Sequence, residues 1–397
     1  MGKKNTRIIL LGSLNSSSFV EYVRAFMFYK IDFIILNVSR EVKAEEFHFG
    51  SIEILDFYIA NKKYSFLRKK VTKIIKIILA RFKIDRSHLF LKARRSVETI
   101  ESEISYNREI IPFVSSAIKI IGYWSTAVKK EMKICKQINK KIKLILFICT
   151  YPVNSYLKFS ANEMPIIEED VPYFNMMNGL IYSSPIMKEY FEKFLFKSND
   201  LLSITFFDSF IKGGSDNKNE REILINDNSP KLIFLGNTDF SERSIDNVKS
   251  KLIDLASEGF IVFIQESKKQ KKIHENIYTF PPYSRSQISK GELDSFINQF
   301  DGVIVLYNSK KDDLRFHLSI PIRLSLALNS LTPIFLPKGN YTAMENLIIK
   351  EKIGYCYENP RDLLRYINKN KNKKRVGNEK YDLLKRIEKV INFINVI

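Results

Sequence analysis

The run from His317 to Pro337 constrains the fold more than any other segment of the chain. It follows Asp301-Gly-Val-Ile-Val-Leu-Tyr-Asn308, a short and almost wholly apolar stretch that reads as a buried strand. Pro321 to Ser330 reads as a helix with Pro at its start, where the missing N–H would have no intrahelical acceptor. Thr332-Pro-Ile-Phe-Leu336 then reads as a second strand. Strand, loop, helix and strand in this order make a right-handed α/β crossover. Its helix start offers N–H groups and the positive end of a dipole to an anion. Arg323 falls in the first turn, where its planar fork suits a diphosphate. The same residues also suit an ordinary crossover with a surface Arg.

The pattern recurs along the chain. Arg7 to Leu11 and Asp32 to Asn37 are strands around a helix that ends near Tyr29. Lys119 to Trp124, Lys143 to Cys149, Asn178 to Ser184 and Leu201 to Phe207 continue the series, with a helix from Ile186 to Phe196. Residues Lys212 to Pro230 are polar, Gly-rich and aperiodic, and read as a linker. A second series follows it: strands at Lys231–Asn237, Phe260–Gln265, Asn276–Phe280 and Lys352–Cys356, and helices at Ile245–Ala256, Gly291–Phe300, Arg361–Ile367 and Tyr381–Ile397. The predicted division is therefore 1–211, a linker at 212–230, and 231–397, each domain an α/β layer with a parallel sheet.

This register carries a resemblance. Pro321-Ile-Arg323-Leu324-Ser-Leu326-Ala-Leu328-Asn-Ser-Leu331-Thr-Pro333 resembles, without gaps, the Pro-x-Lys-Leu-x-Glu-Tyr-Leu-x-x-Gly-x-Pro run of the nucleotide-sugar half of GT-B glycosyltransferases. Leu326 stands where that family usually carries the Glu that binds the donor ribose, and Leu331 stands where Gly is usual. The resemblance implies two Rossmann-like domains facing a cleft. The first would hold the acceptor and the second the donor nucleotide, with the final helix packing back on the first domain. It implies transfer from a nucleotide sugar to a glycan or lipid-linked acceptor in bacterial surface polysaccharide synthesis. A sugar-nucleotide epimerase on the same fold, or a non-catalytic glycan- or membrane-binding scaffold, are the alternatives, and Leu326 favours the scaffold.

Under that resemblance the donor residues fall at successive strand ends, the edge where open α/β sheets take ligands. Gly236 and Asn237 end one strand, with Arg243 close behind. Tyr283 and Ser284 end another, where the family often holds the base. His317, Ser319, Pro321 and Ser325 surround the start of the helix. Arg323 would stabilise the departing diphosphate. Gly12 and Ser13 would face the cleft from the first domain; equally, that loop reads as a plain N-cap by Ser16, Ser17 or Ser18. No residue presents itself as the acceptor's base. No Asp-x-Asp stands at a strand end, and the four His and three Cys show no ligand spacing, so neither a metal nor another cofactor is implied.

Composition narrows the partners. The formal net charge is +20, from 64 Lys and Arg against 44 Asp and Glu, which suits anionic substrates, membranes or nucleic acid. Much of the excess lies at residues 62–95. There Lys69, Lys70, Lys73 and Lys76 alternate with apolar residues at helical spacing. Such a helix suits an anionic bilayer surface, and it equally suits packing on a protein core. No RNA-binding motif accompanies the charge, so nucleic acid is not expected as a partner. No apolar run approaches the ~20 residues of a membrane span, and the expected location is cytoplasmic and peripheral on the inner face of the cell membrane.

Overall fold

The computed structural model describes residues 7–39, 42–58, 106–123, 128–151, 170–194, 201–212, 223, 228–236, 247–265, 273–284, 287–288, 290–308, 314–339, 341–370 and 379–397. Two parallel-type sheets organise them. The first has strands β1 (Ile8–Gly12), β2 (Phe33–Asn37), β3 (Ile54–Asp56), β4 (Lys119–Tyr123), β5 (Lys143–Ile148), β6 (Gly179–Tyr182) and β7 (Leu202–Thr205), in the order β3-β2-β1-β4-β5-β6-β7. The second has β8 (Lys231–Phe234), β9 (Ile261–Gln265), β10 (Ile277–Phe280), β11 (Gly302–Ile304), β12 (Ile334–Pro337) and β13 (Gly354–Tyr357), in the order β10-β9-β8-β11-β12-β13. All five pairings of the second sheet are parallel. In both sheets the order reverses beside the first strand, between β1 and β4 and between β8 and β11. These are the switch points at which open α/β sheets take ligands.

The strands form because they are apolar on both faces: β1, β2 and β6 are buried throughout. The helices that carry the argument are α1 (Ser17–Phe28), α2 (Ile111–Ser116), α3 (Val128–Ile138), α4 (Pro185–Phe194), α5 (Lys249–Ser257), α6 (Glu292–Ile297), α7 (Leu314–Leu318), α8 (Arg323–Asn329), α9 (Thr342–Glu351), α10 (Pro360–Asn370) and α11 (Leu383–Val396). The strand β3 and the helices α2, α7 and α9 were not anticipated from sequence. The fold class, two parallel α/β sheets, is as the sequence predicts.

By contacts the chain divides into two compact units: Met1–Phe147, Pro165–Leu180 and Ser198–Leu202, and Ile148–Met164, Ile181–Lys197 and Ser203–Ile397. Within the second unit, α11 docks on the segment that follows β7. Leu383 N donates to Phe210 O at 3.1 Å, and Asp382 both caps α11 and accepts from Lys212 N at 3.0 Å. The Arg386 guanidinium lies over Phe207, 3.9 Å from the ring centroid, and over Phe206 at 4.5 Å.

Among the described residues, α1, α5 and α8 end in Schellman motifs. In α8, Thr332 N reaches Ala327 O and Leu331 N reaches Leu328 O, with Leu331 at φ 59°. That is the left-handed conformation which favours Gly, and Leu331 is the position at which the GT-B run has Gly. Lys30 at φ 52° closes α1 likewise and Gly259 at φ 95° closes α5, while Lys352 at φ 54° closes α9 with its N–H on Ile348 O.

At the end of β2, Asn37 is wholly buried and uses its full hydrogen-bonding capacity. Its Nδ2 donates to Val42 O and Asp56 Oδ1, each at 2.8 Å, and its Oδ1 accepts from Leu14 N and Ser39 N, each at 3.1 Å. One amide thus ties the loop after β1 to the ends of β2 and β3. Cys135 and Cys149 are buried, and burial pushes the Cys135 thiol far up, so it packs as an apolar group.

Candidate functional site

Among the described residues, side chains converge at the switch point of the second sheet, between the ends of β8 and β11. Gly236 follows β8 by two residues and Tyr307 follows β11 by three. Arg323 opens α8 and lays its guanidinium 4.5 Å from the centroid of the Tyr307 ring and 5.9 Å from that of Phe234. A Cβ on Gly236 would stand 2.7 Å from an Arg323 terminal nitrogen and 2.0 Å from the tip of the buried Phe234 ring. Glycine is therefore required there by close approach, not by backbone conformation. Two of the residues singled out from sequence, nearly ninety positions apart, meet at one point.

Hydrogen bonds brace the residues around them. Tyr307 is buried; its N–H donates to Tyr341 Oη at 3.2 Å, and the Tyr341 hydroxyl also lies 3.3 Å from Tyr307 O. Lys251 on α5 donates to Tyr307 O at 2.7 Å, and burial holds its ammonium below the usual lysine range. A half-buried lysine on one side of Tyr307 and an arginine on its ring place two cations at one strand end. Lys251 was missed from sequence because its spacing is that of any solvated lysine on an amphipathic helix.

The remaining candidates are arranged as follows. His317 lies inside α7 instead of a loop, and its Nδ1 is 2.6 Å from Thr342 Oγ1 at the start of α9. Ser319 is buried; its hydroxyl accepts from Tyr151 N at 3.1 Å and faces Tyr151 O at 3.4 Å. Pro321 O accepts from Leu324 N at 3.0 Å, and Ser325 is buried with its hydroxyl on Ile322 O at 2.7 Å, so both shape the first turn of α8. The helix begins at Arg323, two residues after Pro321. Leu326, at the position of the family's ribose-binding Glu, packs on the apolar core of the second sheet.

Tyr283 is also core: its ring lies 5.7 Å from Phe296, among Phe280, Phe296 and Phe300. Ser284 is exposed and exchanges hydrogen bonds with Gln287, accepting from its N–H at 3.3 Å and donating from its own N–H to Oε1 at 3.0 Å. In the first unit, a Cβ on Gly12 would meet the Phe19 ring at 2.7 Å, and Ser13 Oγ accepts from Asn15 N at 3.3 Å. Ser16 is the cap of α1, accepting from Phe19 N. Asn237, Arg243, Lys69, Lys70, Lys73 and Lys76 lie outside the described residues.

Gly236→Ala is expected to displace the Arg323 fork, because Phe234 is buried and cannot yield. Affinity for the diphosphate that the sequence leads one to expect here, read by titration calorimetry, should fall about tenfold, the scale at which one misplaced charge-assisted contact is lost. Unchanged affinity would separate Gly236 from the Arg323 site.

No protein-family model matches the chain, and no curated protein matches it by sequence. Solved structures do match. The chain is similar to the sucrose-phosphate synthase of Thermosynechococcus elongatus at a TM-score of 0.58 and 10% identity, over 98% of each chain. It is similar to Anabaena HepE in complex with UDP at a TM-score of 0.58 and 9% identity, over 98% of this chain and 100% of that one. HepE in complex with UDP and glucose gives 0.57 at 9% identity. These matches establish the fold: two parallel α/β sheets in the GT-B arrangement of elements, as the run at Pro321–Pro333 led us to expect.

Proposed function

We propose that the chain is a glycosyltransferase, moving a sugar from a nucleotide-sugar donor to a glycan or lipid-linked acceptor in bacterial surface polysaccharide synthesis. The observation that carries this reading is the meeting of Gly236, Arg323 and Tyr307 at the switch point of the second sheet. A diphosphate leaving group develops charge as the glycosidic bond breaks. A guanidinium held in place by two aromatic rings needs little rearrangement to meet that charge. Arg323 supplies the leaving-group stabilisation, and no metal is invoked. Support comes also from the neighbours of the same fold that hold UDP or UDP and glucose.

Leu326 favours a second reading. An apolar side chain on the core cannot accept hydrogen bonds from a ribose, which suits a scaffold that has lost donor binding. A single experiment separates the two: thermal unfolding in the presence of UDP, GDP, CMP and ADP and their sugars. One nucleotide should raise the unfolding midpoint, since a ligand at 100-fold its Kd adds ~2.7 kcal/mol. A blank screen would leave the scaffold.

The acceptor side of the reading is a lipid-linked glycan at the cytoplasmic face of the membrane. No helix of the described residues is long and apolar enough to cross a membrane, so attachment there would be peripheral. The basic stretch 62–95, with Lys69, Lys70, Lys73 and Lys76, is the sequence's own candidate for that attachment and lies outside the described residues.

A further inference from the structure

Three crossovers of the second sheet meet at the main chain of Tyr307. Val305 N, just past β11, donates to Phe335 O of β12 at 2.9 Å. Two residues further on, Tyr307 is buried, and buried main-chain groups beyond the end of a ladder must find partners elsewhere. The Tyr341 phenol supplies them on both sides. It accepts from Tyr307 N at 3.2 Å and donates to Tyr307 O at 3.3 Å. One hydroxyl therefore holds the residue by its N–H and its C=O, as an opposed residue does in an antiparallel pair. Lys251 adds a bond to the same carbonyl at 2.7 Å.

The Tyr307 ring is enclosed as well. Phe316 of α7 lies 4.5 Å from it, centroid to centroid, and the Arg323 guanidinium lies 4.5 Å from the same centroid. The Tyr341 ring stands 6.0 Å from Tyr307 and edge-on to Phe316, also at 6.0 Å. Tyr341 is fully buried, and its own N–H donates to Glu345 Oε1 at 3.0 Å. Its neighbour Thr342 meets His317, the residue after Phe316, at 2.6 Å. The loop after β12 is thereby joined to α7 beside the ring on which Arg323 lies.

We infer that Tyr341 is a positioning residue for Arg323, acting through Tyr307. The inference rests on the reading of Arg323 as the group that stabilises the departing diphosphate, and it adds the residue that sets where the guanidinium stands. A guanidinium on an aromatic face keeps its place only while the face does, and the face turns with the main chain from which the side chain springs. A preorganised charge is worth most where charge develops, and a misplacement of ~1 Å can cost a hundredfold in rate. Phenylalanine would fill the same space as Tyr341, so packing alone does not call for the oxygen. What the oxygen adds is the double hold on Tyr307.

The test is Tyr341→Phe in the full chain. The kcat of sugar transfer should fall about tenfold while the donor KM stays within about twofold, as for a group whose effect lies in the transition state. The same change in an Arg323→Lys background should cost nothing further, because a lysine has no planar fork to align on the ring. A residue of structural worth alone would cost both backgrounds equally, and equal losses overturn the inference. A second measurement needs no substrate. The Arg323 Nε–Hε resonance of the free protein, assigned by its loss in Arg323→Lys, feels the ring current of Tyr307 and should move in Tyr341→Phe. An unmoved resonance overturns the inference. If wild type transfers no sugar, the resonance alone decides, so failure of the transferase and failure of the positioning are told apart. Should Tyr341→Phe fail to fold, Lys251→Met removes the other hold on Tyr307 O. It should move the same resonance, and an unmoved one again overturns the inference.

Discussion

Arg323→Ala is expected to lower sugar transfer by roughly two to three orders of magnitude, the scale seen when one preorganised donor to a developing charge is removed. The guanidinium stands over Tyr307 and Phe234 at a strand end that Lys251 and Tyr341 hold in place. Its position is set before any ligand arrives, so its contribution falls on the transition state as much as on binding. The stability cost should be small by comparison, about 1 kcal/mol for two cation–aromatic contacts. A circular-dichroism melt close to wild type beside a collapsed rate is therefore the expected pair of results. Arg323→Lys should recover part of the rate. A lysine places a point charge where the fork stood and is the residue usual in the GT-B run, but it loses the two-pronged grip and the ring stacking. Wild-type turnover in the Ala variant would remove Arg323 from the site and with it the main support for a transferase. A variant that fails to fold would instead make Arg323 a packing residue, and the Lys variant would then show which of its two roles matters.

How much of this was legible in the sequence follows from the physics of each element. The strands of both sheets could be read because a strand covered on both faces is apolar without alternation, as in Ile8-Ile-Leu-Leu and Phe260-Ile-Val-Phe-Ile. Helix α9 was missed because its apolar pattern is blurred: Ala343, Met344 and Ile348 are buried, but Ile349 is 66% exposed. Helix α7 has five residues and β3 has three, too few for any period to show. Arg323 and Gly236 were singled out because motif and strand end each pointed to them, and the fold brings the two side by side. The roles of Tyr283 and Ser319 were not legible. Pro-Pro-Tyr-Ser looks like an exposed loop, yet the Tyr283 ring completes an aromatic cluster; Ser319 looks like a loop hydroxyl, yet it serves the backbone of Tyr151, 168 positions away. Lys251 needed three dimensions as well, since only the fold brings it to Tyr307 O.

Asn37 is the sharpest instance of a residue whose weight only the structure reveals, and Asn37→Leu should cost about 3–4 kcal/mol. Leucine matches the amide in size and supplies neither donor nor acceptor. Four groups then lose a partner at once: Leu14 N–H, Ser39 N–H, Val42 C=O and Asp56 Oδ1. Each buried orphan costs about 1–3 kcal/mol, and those nearer the surface recover part of this from water, which sets the total. Asp56 keeps Ala44 N–H, so its carboxylate is not stripped completely. Leu14 is fully buried, away from water. The unfolding midpoint of the first unit should fall by roughly 10 °C. The loop Gly12–Ser16 should loosen first, because the Leu14 N–H bond is one of its ties to the end of β2. Hydrogen exchange resolved to single residues should show Leu14 and Ser39 exchanging faster at temperatures where β4 and β5 stay protected. Asn37→Asp should do no better: it keeps the acceptor for Leu14 but loses both donors and sets a second carboxylate against Asp56. A Leu variant as stable as wild type would mean that water replaces the amide at the end of β2.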